Sequence, residues 1–491
     1  MLLRVEERGP LPIYRQIYEQ IRTMVEANAL LPGSSLPSTR RLAETLHVHR
    51  STVSSAYQEL WAAGYVELHP GRSPRVRERV QVVKRADITR ESIVPWGEAC
   101  SATSSEAWAS YQVRHQETPG LADLHSIDFS LLNLDHRLFP MDSLRSSMNR
   151  VMREGDGSIL GYGDSKGYQP LREWICQYLQ RHGIAVSPDE VLLTNGSQHS
   201  FDLILRLLAS PGGAVAIESP TYGSMIPLLR LLGTRPIGVP MLNSGMDLDA
   251  LTEIMERERP ALVYTTPSFQ NPTGVSTSQE HRERLLALCT HYRVPILEDG
   301  FEEDMKYFGR AVLPIKSMDR RGLVLYCGTL SKVLFPGLRI GWIVADHECI
   351  ERLAAINSYT SLGSSALLQA AVHDFCRNGH LDSQVSRMHR VFRKRMQTAL
   401  RSLRSEVSSS WAEWEDPTGG YLIWLRLRAA LTPVDWDNLL TRHGIKAVLG
   451  DRFFLCPQPS TYLRLSIASL NEDEIIAGVS RLAASLREAY C

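Results

Sequence analysis

The residues best suited to covalent chemistry lie in one short stretch around Lys332. The four apolar residues 323–326 precede it and predict a buried strand, so the lysine beyond that strand can be partly desolvated. Desolvation disfavours the charged ammonium and lowers the lysine pKa, which makes the amine a better nucleophile. Arg339 follows in a Pro-Gly turn and, with the hydroxyls of Thr329 and Ser331, suits a phosphate dianion. A Schiff-base lysine beside a phosphate clamp is what pyridoxal phosphate requires.

The same stretch has a plainer interpretation, because a Ser-Lys pair near an arginine is usually a solvated loop. Support has to come from the rest of the chain. From residue 127 onward, apolar runs alternate with helical patterns, which predicts an α/β domain with a mainly parallel sheet. Open sheets of this kind bind ligands beyond the carboxyl ends of their strands. In chain order, the predicted strand ends carry Gly196 and Ser197, Tyr222, Asn271, Asp299 and Lys332.

The composition is that of a globular protein of several domains, with 491 residues, 43% hydrophobic and 22% charged. The net charge is zero, yet residues 1–85 carry 13 Lys and Arg against 8 Asp and Glu. This basic head on an acidic body predicts a polyanionic partner for the head. The eight cysteines show no Cys-x-x-Cys pair and no metal-binding spacing with histidine. We therefore expect reduced thiols, no metal site, no membrane partner and a cytoplasmic location.

The first 78 residues predict three helices followed by a small hairpin. Pro12 opens a helix whose apolar residues recur every four positions, and Ser38 is a candidate N-cap for the second helix. The third helix has an apolar stripe that includes Trp61, and residues 65–77 alternate, turn and return as a hairpin. This order is typical of a winged helix-turn-helix, whose third helix enters the DNA major groove. A helical module that docks onto proteins is the alternative.

Residues 10–78 resemble the GntR family of bacterial transcription regulators. The resemblance rests on Leu-Pro-Ser-Thr-Arg-Arg-Leu-Ala at 36–43, Val-His-Arg-Ser-Thr-Val at 48–53 and Gly-Tyr-Val at 64–66. It implies binding to a double-stranded DNA operator. His49 stands where the family usually has Ser or Thr, so we expect a weaker cap on the recognition helix. The DNA-contacting residues that the resemblance implies are Arg40, Arg50, Ser51, Thr52, Gly71 and Arg72.

Residues 79–125 differ in composition from what precedes and follows them. Residues 79–90 are charged, residues 101–110 are rich in Ser and Ala, and residues 117–120 form a turn-like sequence. This pattern predicts an interdomain linker with at most short helices. The predicted domains are then 10–78 for the head and 126–491 for the body.

Residues 127–488 resemble the fold-type I pyridoxal-phosphate-dependent aminotransferases of class I/II. Asn-Gly-Ser-Gln at 195–198, Asn-Pro-Thr-Gly at 271–274 and the stretch around Lys332 carry the resemblance in the order the family has them. It implies that Lys332 forms the internal aldimine and that Arg464 grips an α-carboxylate. The other contacts it implies are Asp299 at the pyridinium nitrogen, Asn271 at the ring oxygen, Tyr222 stacked on the ring, Gly196, Ser197, Thr329 and Arg339 at the phosphate, and Tyr162 reaching the phosphate of a neighbouring subunit in a homodimer.

Two departures from the family pattern bear on turnover. Phe301 stands where regulators of this kind usually have a tyrosine that donates to the ring oxygen, and residues 129–133 replace a loop that commonly contains glycine. A GntR head on an aminotransferase-like body resembles the MocR subgroup of regulators over nearly the whole chain. We therefore expect a pyridoxal-phosphate-dependent transcription regulator that senses an amino compound, or pyridoxal phosphate itself, through an aldimine at Lys332. An active aminotransferase with an attached DNA-binding domain is the alternative.

Overall fold

The chain folds into two compact units, residues 1–95 and 96–491, each with its own hydrophobic core. The division between the units falls inside the predicted linker. The computed structural model describes residues 3–6, 9, 11–77, 93–116, 126–155, 157–301, 303–429, 431–456 and 461–490.

The head contains the three helices and the hairpin that the sequence predicts. Ser38 caps the second helix, since its hydroxyl accepts a hydrogen bond from the backbone N–H of Arg41 at 3.3 Å. Trp61 was expected in the apolar stripe, but its side chain is 57% exposed because it lies about 100° round the helix from buried Leu60. The elements are α1 (Ile13–Glu26), α2 (Thr39–Leu46), α3 (Arg50–Ala62), β1 (Val66–Glu67) and β2 (Arg75–Val76).

The predicted linker is more ordered than its composition suggested. It contains α4 (Trp96–Ala99) and α5 (Ala102–Gln116), and α5 is 15 residues long. The expectation of at most short helices was therefore wrong. The Ser101 hydroxyl accepts from the backbone N–H of Ser104 at 3.2 Å and so caps the start of α5. The Ser/Ala-rich stretch then continues as a helix that packs against another helix of the body.

The body is built on an eight-stranded sheet that is parallel through its centre. Its strand order is β4-β11-β10-β9-β8-β5-β6-β7, and only the β4, β11 and β7 pairings are antiparallel. A smaller antiparallel sheet has the order β12-β13-β16-β15, and β14 pairs with β3. The strands are β3 (Ile127–Asp128), β4 (Val191–Thr194), β5 (Ala214–Ser219), β6 (Arg235–Leu242), β7 (Gly245–Met246), β8 (Val263–Thr265), β9 (Ile296–Asp299), β10 (Val324–Thr329), β11 (Gly341–Val344), β12 (Ala412–Glu413), β13 (Leu422–Leu427), β14 (Ile445–Lys446), β15 (Val448–Leu449) and β16 (Tyr462–Ser466).

Helices cover both faces of the large sheet, which is why its central strands are apolar on both sides. Along β10, Leu325 and Cys327 join one core cluster while Val324 and Tyr326 face the other side. No helix among the described ranges has the length and apolarity to cross a bilayer. The helices are α6 (Met141–Glu154), α7 (Gln169–Gln180), α8 (Ser197–Leu208), α9 (Met225–Leu231), which is the partner of α5, α10 (Leu248–Glu258), α11 (Gln279–Tyr292), α12 (Ile315–Met318), α13 (His347–Thr360), α14 (Ala366–Arg377), α15 (His380–Glu406), α16 (Pro433–Arg442) and α17 (Glu472–Tyr490).

Candidate cofactor site and DNA-binding surface

Lys332 lies in the turn that follows β10, as the sequence predicted. Strand β10 is buried along its whole length and carries the lysine to the ligand-binding edge of the sheet. The Lys332 Nζ donates a hydrogen bond to the backbone carbonyl of Leu132 at 2.8 Å. The Tyr421 hydroxyl donates to the backbone carbonyl of Lys332 at 2.7 Å and so fixes the turn. This half-buried primary amine is placed where it can condense with an aldehyde.

Asp299 ends β9, the strand beside β10, and pairs with Cys327 in the sheet register. Its side chain is buried. Burial raises the pKa of Asp299 to about 7, against the opposing effects of a hydrogen bond from Tyr264 and the positive charge of Lys332. The Tyr264 hydroxyl donates to Oδ2 at 3.0 Å. The other oxygen, Oδ1, is buried and accepts no hydrogen bond of ordinary geometry from the described residues.

The unsatisfied Oδ1 atom of Asp299 fits a protonated pyridine nitrogen. A buried acceptor left without a donor costs about 1–3 kcal/mol, and a cationic N–H would remove that cost. The same cation would favour the ionised carboxylate and lower the pKa of Asp299. The donor set around this residue is therefore suited to the ring of pyridoxal phosphate.

A second set of residues forms an anion-binding cradle at the start of α8. Gly196 is the N-cap residue, with a φ of +85° that favours glycine, and the free N–H groups of the helix start follow it. A Cβ atom at Gly196 would lie only 3.0–3.2 Å from the guanidinium of Arg339, so only glycine fits there. Arg339 also donates to the backbone carbonyl of Asn195.

The hydroxyl groups of Thr329 and Ser331 belong to the same region. Thr194, Gly341 and Thr329 lie in one row across the adjacent strands β4, β11 and β10, which brings the end of β10 beside Gly196. The Thr329 hydroxyl donates to the Ser331 hydroxyl at 3.0 Å. Together with Arg339 and the start of α8, these groups are suited to a phosphate dianion.

Arg464 reaches from β16 toward Asn271. Its guanidinium donates to Oδ1 of Asn271 at 3.2 Å and to the backbone carbonyl of Ser130 at 2.9 Å. The guanidinium carbon also lies 5.1 Å from the centre of the Phe453 ring, within the range of a cation–π contact. Arg464 is buried beside this ring, and a guanidinium can bind a carboxylate through two parallel hydrogen bonds.

The remaining candidates are placed differently. Tyr222 is half-buried and packs edge-on against Phe201 with ring centres 6.4 Å apart. The side chain of Tyr162 is 88% exposed, and the structure links it to the other candidates by no hydrogen bond between described residues. Phe301 is buried and has no group that can donate to a ring oxygen. Lys332, Asp299, Asn271, Arg339 and Arg464 are thus assembled within one chain, whereas Tyr162 is not.

Sequence reasoning missed three contributors to this site. Tyr264 lies on the buried strand β8 and holds Asp299, yet a tyrosine in an apolar run looks like core. Ser130 and Leu132 contribute only their backbone carbonyls, which leave no signal in side-chain types. The pairing of β8 with β9 is the feature from which the Tyr264 contact was predictable.

In the head, the residues predicted to contact DNA cluster around the start of α3. The Arg50 Nε donates to the Thr39 hydroxyl at 3.4 Å, which ties the start of α3 to the start of α2. Arg40 is 82% exposed and lies 3.3 Å from Glu44. Ser51 is exposed and Thr52 half-buried, so the helix start presents polar groups to solvent.

The cap of α3 and the tip of the wing complete this surface. His49 replaces the usual hydroxyl residue, and its Nδ1 accepts from the backbone N–H of Ser51 at 3.3 Å. The ring therefore supplies the N-cap acceptor of α3, and the expectation of a weaker cap stays a prediction. Gly71 has a φ of +74° in the turn between β1 and β2, and Arg72 beside it is exposed. The contacts of these residues with DNA stay a prediction.

Comparison with known proteins agrees with this two-part architecture. The profile of bacterial regulatory proteins of the gntR family matches residues 13–76, and that of aminotransferase class I and II matches residues 130–482. An uncharacterized HTH-type transcriptional regulator, YdfD of Bacillus subtilis strain 168, is 31% identical over 97% of this chain and 97% of its own length. The probable rhizopine catabolism regulatory protein MocR of Rhizobium meliloti is 28% identical over 100% of this chain and 96% of its own.

One solved structure is similar to the body of this chain. LysN, an α-aminoadipate aminotransferase from Thermus thermophilus complexed with N-(5'-phosphopyridoxyl)-L-leucine, is similar with a TM-score of 0.75 and 31% identity. The match covers 81% of this chain and 99% of that one. Fold and site thus define a pyridoxal-phosphate-binding body of the fold-type I aminotransferase class, joined to a DNA-binding head. The chain belongs to the MocR-type, GntR-family transcription regulators.

Proposed function

We propose that this regulator senses an amino compound, or pyridoxal phosphate itself, at Lys332, and that this binding changes how the head engages its operator. When bound, pyridoxal phosphate supplies an aldehyde that can exchange one primary amine for another. In the proposal, Asp299 holds the ring nitrogen, and the start of α8 with Thr329, Ser331 and Arg339 holds the phosphate. Arg464 then orients a carboxylate on the amino compound.

One observation carries the proposal. The backbone carbonyls of Leu132 and Ser130, two residues apart, accept hydrogen bonds from Lys332 and Arg464 respectively. A cofactor on Lys332 would compete with the Leu132 carbonyl for the lysine, and a carboxylate on Arg464 would compete with the Ser130 carbonyl for the guanidinium. Residues 129–133 lie at the start of the aminotransferase-like part of the body, so a ligand that displaces both carbonyls acts directly on the first segment of that part.

The energy of this coupling comes from differential affinity. A ligand shifts an equilibrium between two conformations only by binding one more tightly than the other. Hydrogen bonds from charged donors contribute about 1.5–3 kcal/mol each. The free-energy change on exchanging two of them can therefore reach typical coupling energies of about 1–3 kcal/mol.

A working aminotransferase is the second candidate, because the chain keeps the lysine, the aspartate and the carboxylate-binding arginine together. An absorbance titration of the purified protein with a panel of amino acids separates the two. For a regulator, we expect a lasting shift of the cofactor band that adding a 2-oxo acid does not reverse. Release of a 2-oxo acid from the amino acid, with cycling of the band, would identify an enzyme. No shift with any amino compound would contradict sensing at Lys332.

We further propose that the protein is a homodimer that works in the cytoplasm, where its operator lies. The exposed apolar side chains Leu160, Tyr162 and Leu362 support dimerisation. They share one surface, because Gly163 lies against Ala366 and Gly363 lies against the Asp164 carbonyl. Tyr162 would there reach the phosphate of the other subunit. Light scattering that finds a cofactor-loaded monomer at micromolar concentration would contradict this.

A further inference from the structure

A second polar cavity lies in the body, outside the site at Lys332. Its volume is about 300 Å³, and the loop after β9 forms part of its wall together with the residues after β8 and the start of α11. Neither Lys332 nor Asp299, Arg339 or Arg464 lines it. Its charged lining residues are Arg181, His182, Arg282, Glu303, Asp304 and Lys306.

Four of these six residues already have partners and build the wall. His182 lies 3.3 Å from Asp304, and Arg181 pairs with Asp382 across 2.5 Å. Arg282 is 1% exposed and is held by four hydrogen bonds to neighbouring described residues. Its guanidinium donates to the backbone carbonyls of Pro267 and Leu313 and to the hydroxyls of Thr277 and Ser268, all at 2.8–3.0 Å.

Glu303 and Lys306 are different, because each offers an unused polar group to the cavity. The side chain of Glu303 is 10% exposed, and Arg282 approaches only its Oε1, at 4.0 Å. Its Oε2 is buried and accepts no hydrogen bond from any residue in the described ranges. Burial raises the pKa of Glu303, against the opposing effects of the Arg282 and His182 charges and of a hydrogen bond from Ser268. Burial also lowers the pKa of Lys306, against the opposing effect of the Glu303 charge. The Lys306 Nζ likewise makes no hydrogen bond within the described part of the chain.

We propose that this cavity binds a small zwitterion, such as a free amino acid, without covalent chemistry. The ligand's ammonium donates to Oε2 of Glu303, and its carboxylate accepts from Nζ of Lys306. A volume of about 300 Å³ is at the lower end of small-molecule sites. Glu303 lies four residues beyond Asp299, on the loop that follows β9, so a ligand here acts on the segment next to the aspartate proposed to hold the cofactor. This goes beyond the proposed function, since it needs neither Lys332 nor pyridoxal phosphate.

N,N-dimethylglycine is a suitable probe, because its tertiary amine cannot condense with an aldehyde but keeps one N–H and a carboxylate. Binding to the full-length protein is followed by ligand-observed NMR at millimolar concentration. We expect saturable binding in the wild type, and affinity at least about tenfold weaker in Glu303→Gln and in Lys306→Met. Arg464→Ala removes the other carboxylate-binding group and should leave the affinity unchanged.

Three results would overturn the proposal. The first is a wild type that shows no saturable binding, and the second is unchanged affinity in both cavity variants. The third is loss of binding in Arg464→Ala alone, which would put the probe in the cofactor site. Thermal melts check that the variants fold, and Lys306→Met alters a half-exposed side chain, so it keeps the test valid if Glu303→Gln is unstable. The absorbance titration that tests sensing at Lys332 uses primary amines, which N,N-dimethylglycine is not. Failure of the cavity proposal can therefore be told apart from failure of the proposed function.

Discussion

The residues of the head that are predicted to contact DNA and the candidate cofactor residues of the body are placed in opposite ways. In the head, Arg40, Arg50 and Arg72 are exposed and lie within one contiguous stretch of the chain. In the body, the candidate cofactor residues Gly196, Asn271, Asp299, Lys332 and Arg464 are far apart in the chain, and Asp299 is only 5% exposed. The exposed arginines of the head are accessible to a polyanion in solution. In the body, the Asp299 carboxylate is buried and Lys332 is half-buried, and a bound ligand changes the electrostatic energy of such groups more than that of exposed ones.

This difference predicts that the two sites fail independently and by different mechanisms. A change in the body should alter cofactor affinity and leave basal DNA binding intact. A change in the head should do the reverse, because residues of the head form its hydrophobic core.

The largest effect is expected for Asp299→Asn. The amide cannot supply the negative charge that a protonated ring nitrogen needs, and hydrogen bonds to charged groups are worth about 1.5–3 kcal/mol. We expect pyridoxal phosphate to bind roughly 10–150-fold more weakly, measured by equilibrium dialysis. Tyr264→Phe is the matched control, since it keeps the carboxylate and removes one donor, so the loss should be smaller. Equal losses in both variants would show that the charge of Asp299 is not what matters.

Arg50→Ala should give the next largest effect, this time in the head. A guanidinium on a guanine edge contributes about 1–3 kcal/mol of base discrimination. The preference for operator over random DNA should fall, as measured by fluorescence anisotropy, while cofactor binding stays unchanged. If the preference survives, Arg50 does not contact bases.

Arg72→Ala, at the wing tip, is expected to act differently from Arg50→Ala. A phosphate contact carries no sequence information, so binding should weaken to a similar extent on operator and random DNA. A plot of log affinity against log salt concentration should become less steep, with its slope reduced in magnitude by about 1. A change confined to the operator would instead make Arg72 a base contact.

The smallest effect is expected for Phe301→Tyr. A phenol at this buried position can donate to the ring oxygen of the bound cofactor, which favours the deprotonated chromophore and lowers its pKa. One hydrogen bond of about 0.5–1.5 kcal/mol corresponds to about half to one pH unit. A pH titration of the protein-bound chromophore measures this, and an unchanged or raised midpoint would refute it.

The same contrast explains what could be predicted from the sequence. The helices of the head and the order of strand-end residues in the body follow local patterns, so α3 and the turn at Lys332 were predicted. The prediction for Trp61 was wrong because the residue next to buried Leu60 lies at the edge of the apolar stripe, where the sequence pattern does not distinguish a buried side chain from an exposed one. The linker helix α5 was underestimated, since its packing against α9 is a tertiary contact. Tyr264 and the carbonyls of Ser130 and Leu132 act through pairings that residue types do not encode.

The most direct test of sensing at Lys332 is operator binding by the wild type and by Lys332→Ala, each with and without pyridoxal phosphate and an amino compound. Both proteins should show the same basal affinity, because the core of the head is self-contained. The wild type should respond by about 5–150-fold, the range of typical coupling energies, or by a changed footprint. Lys332→Ala should show no response to the amino compound. An intact response in the variant would contradict the account, since the lysine would then not be the group through which the ligand acts.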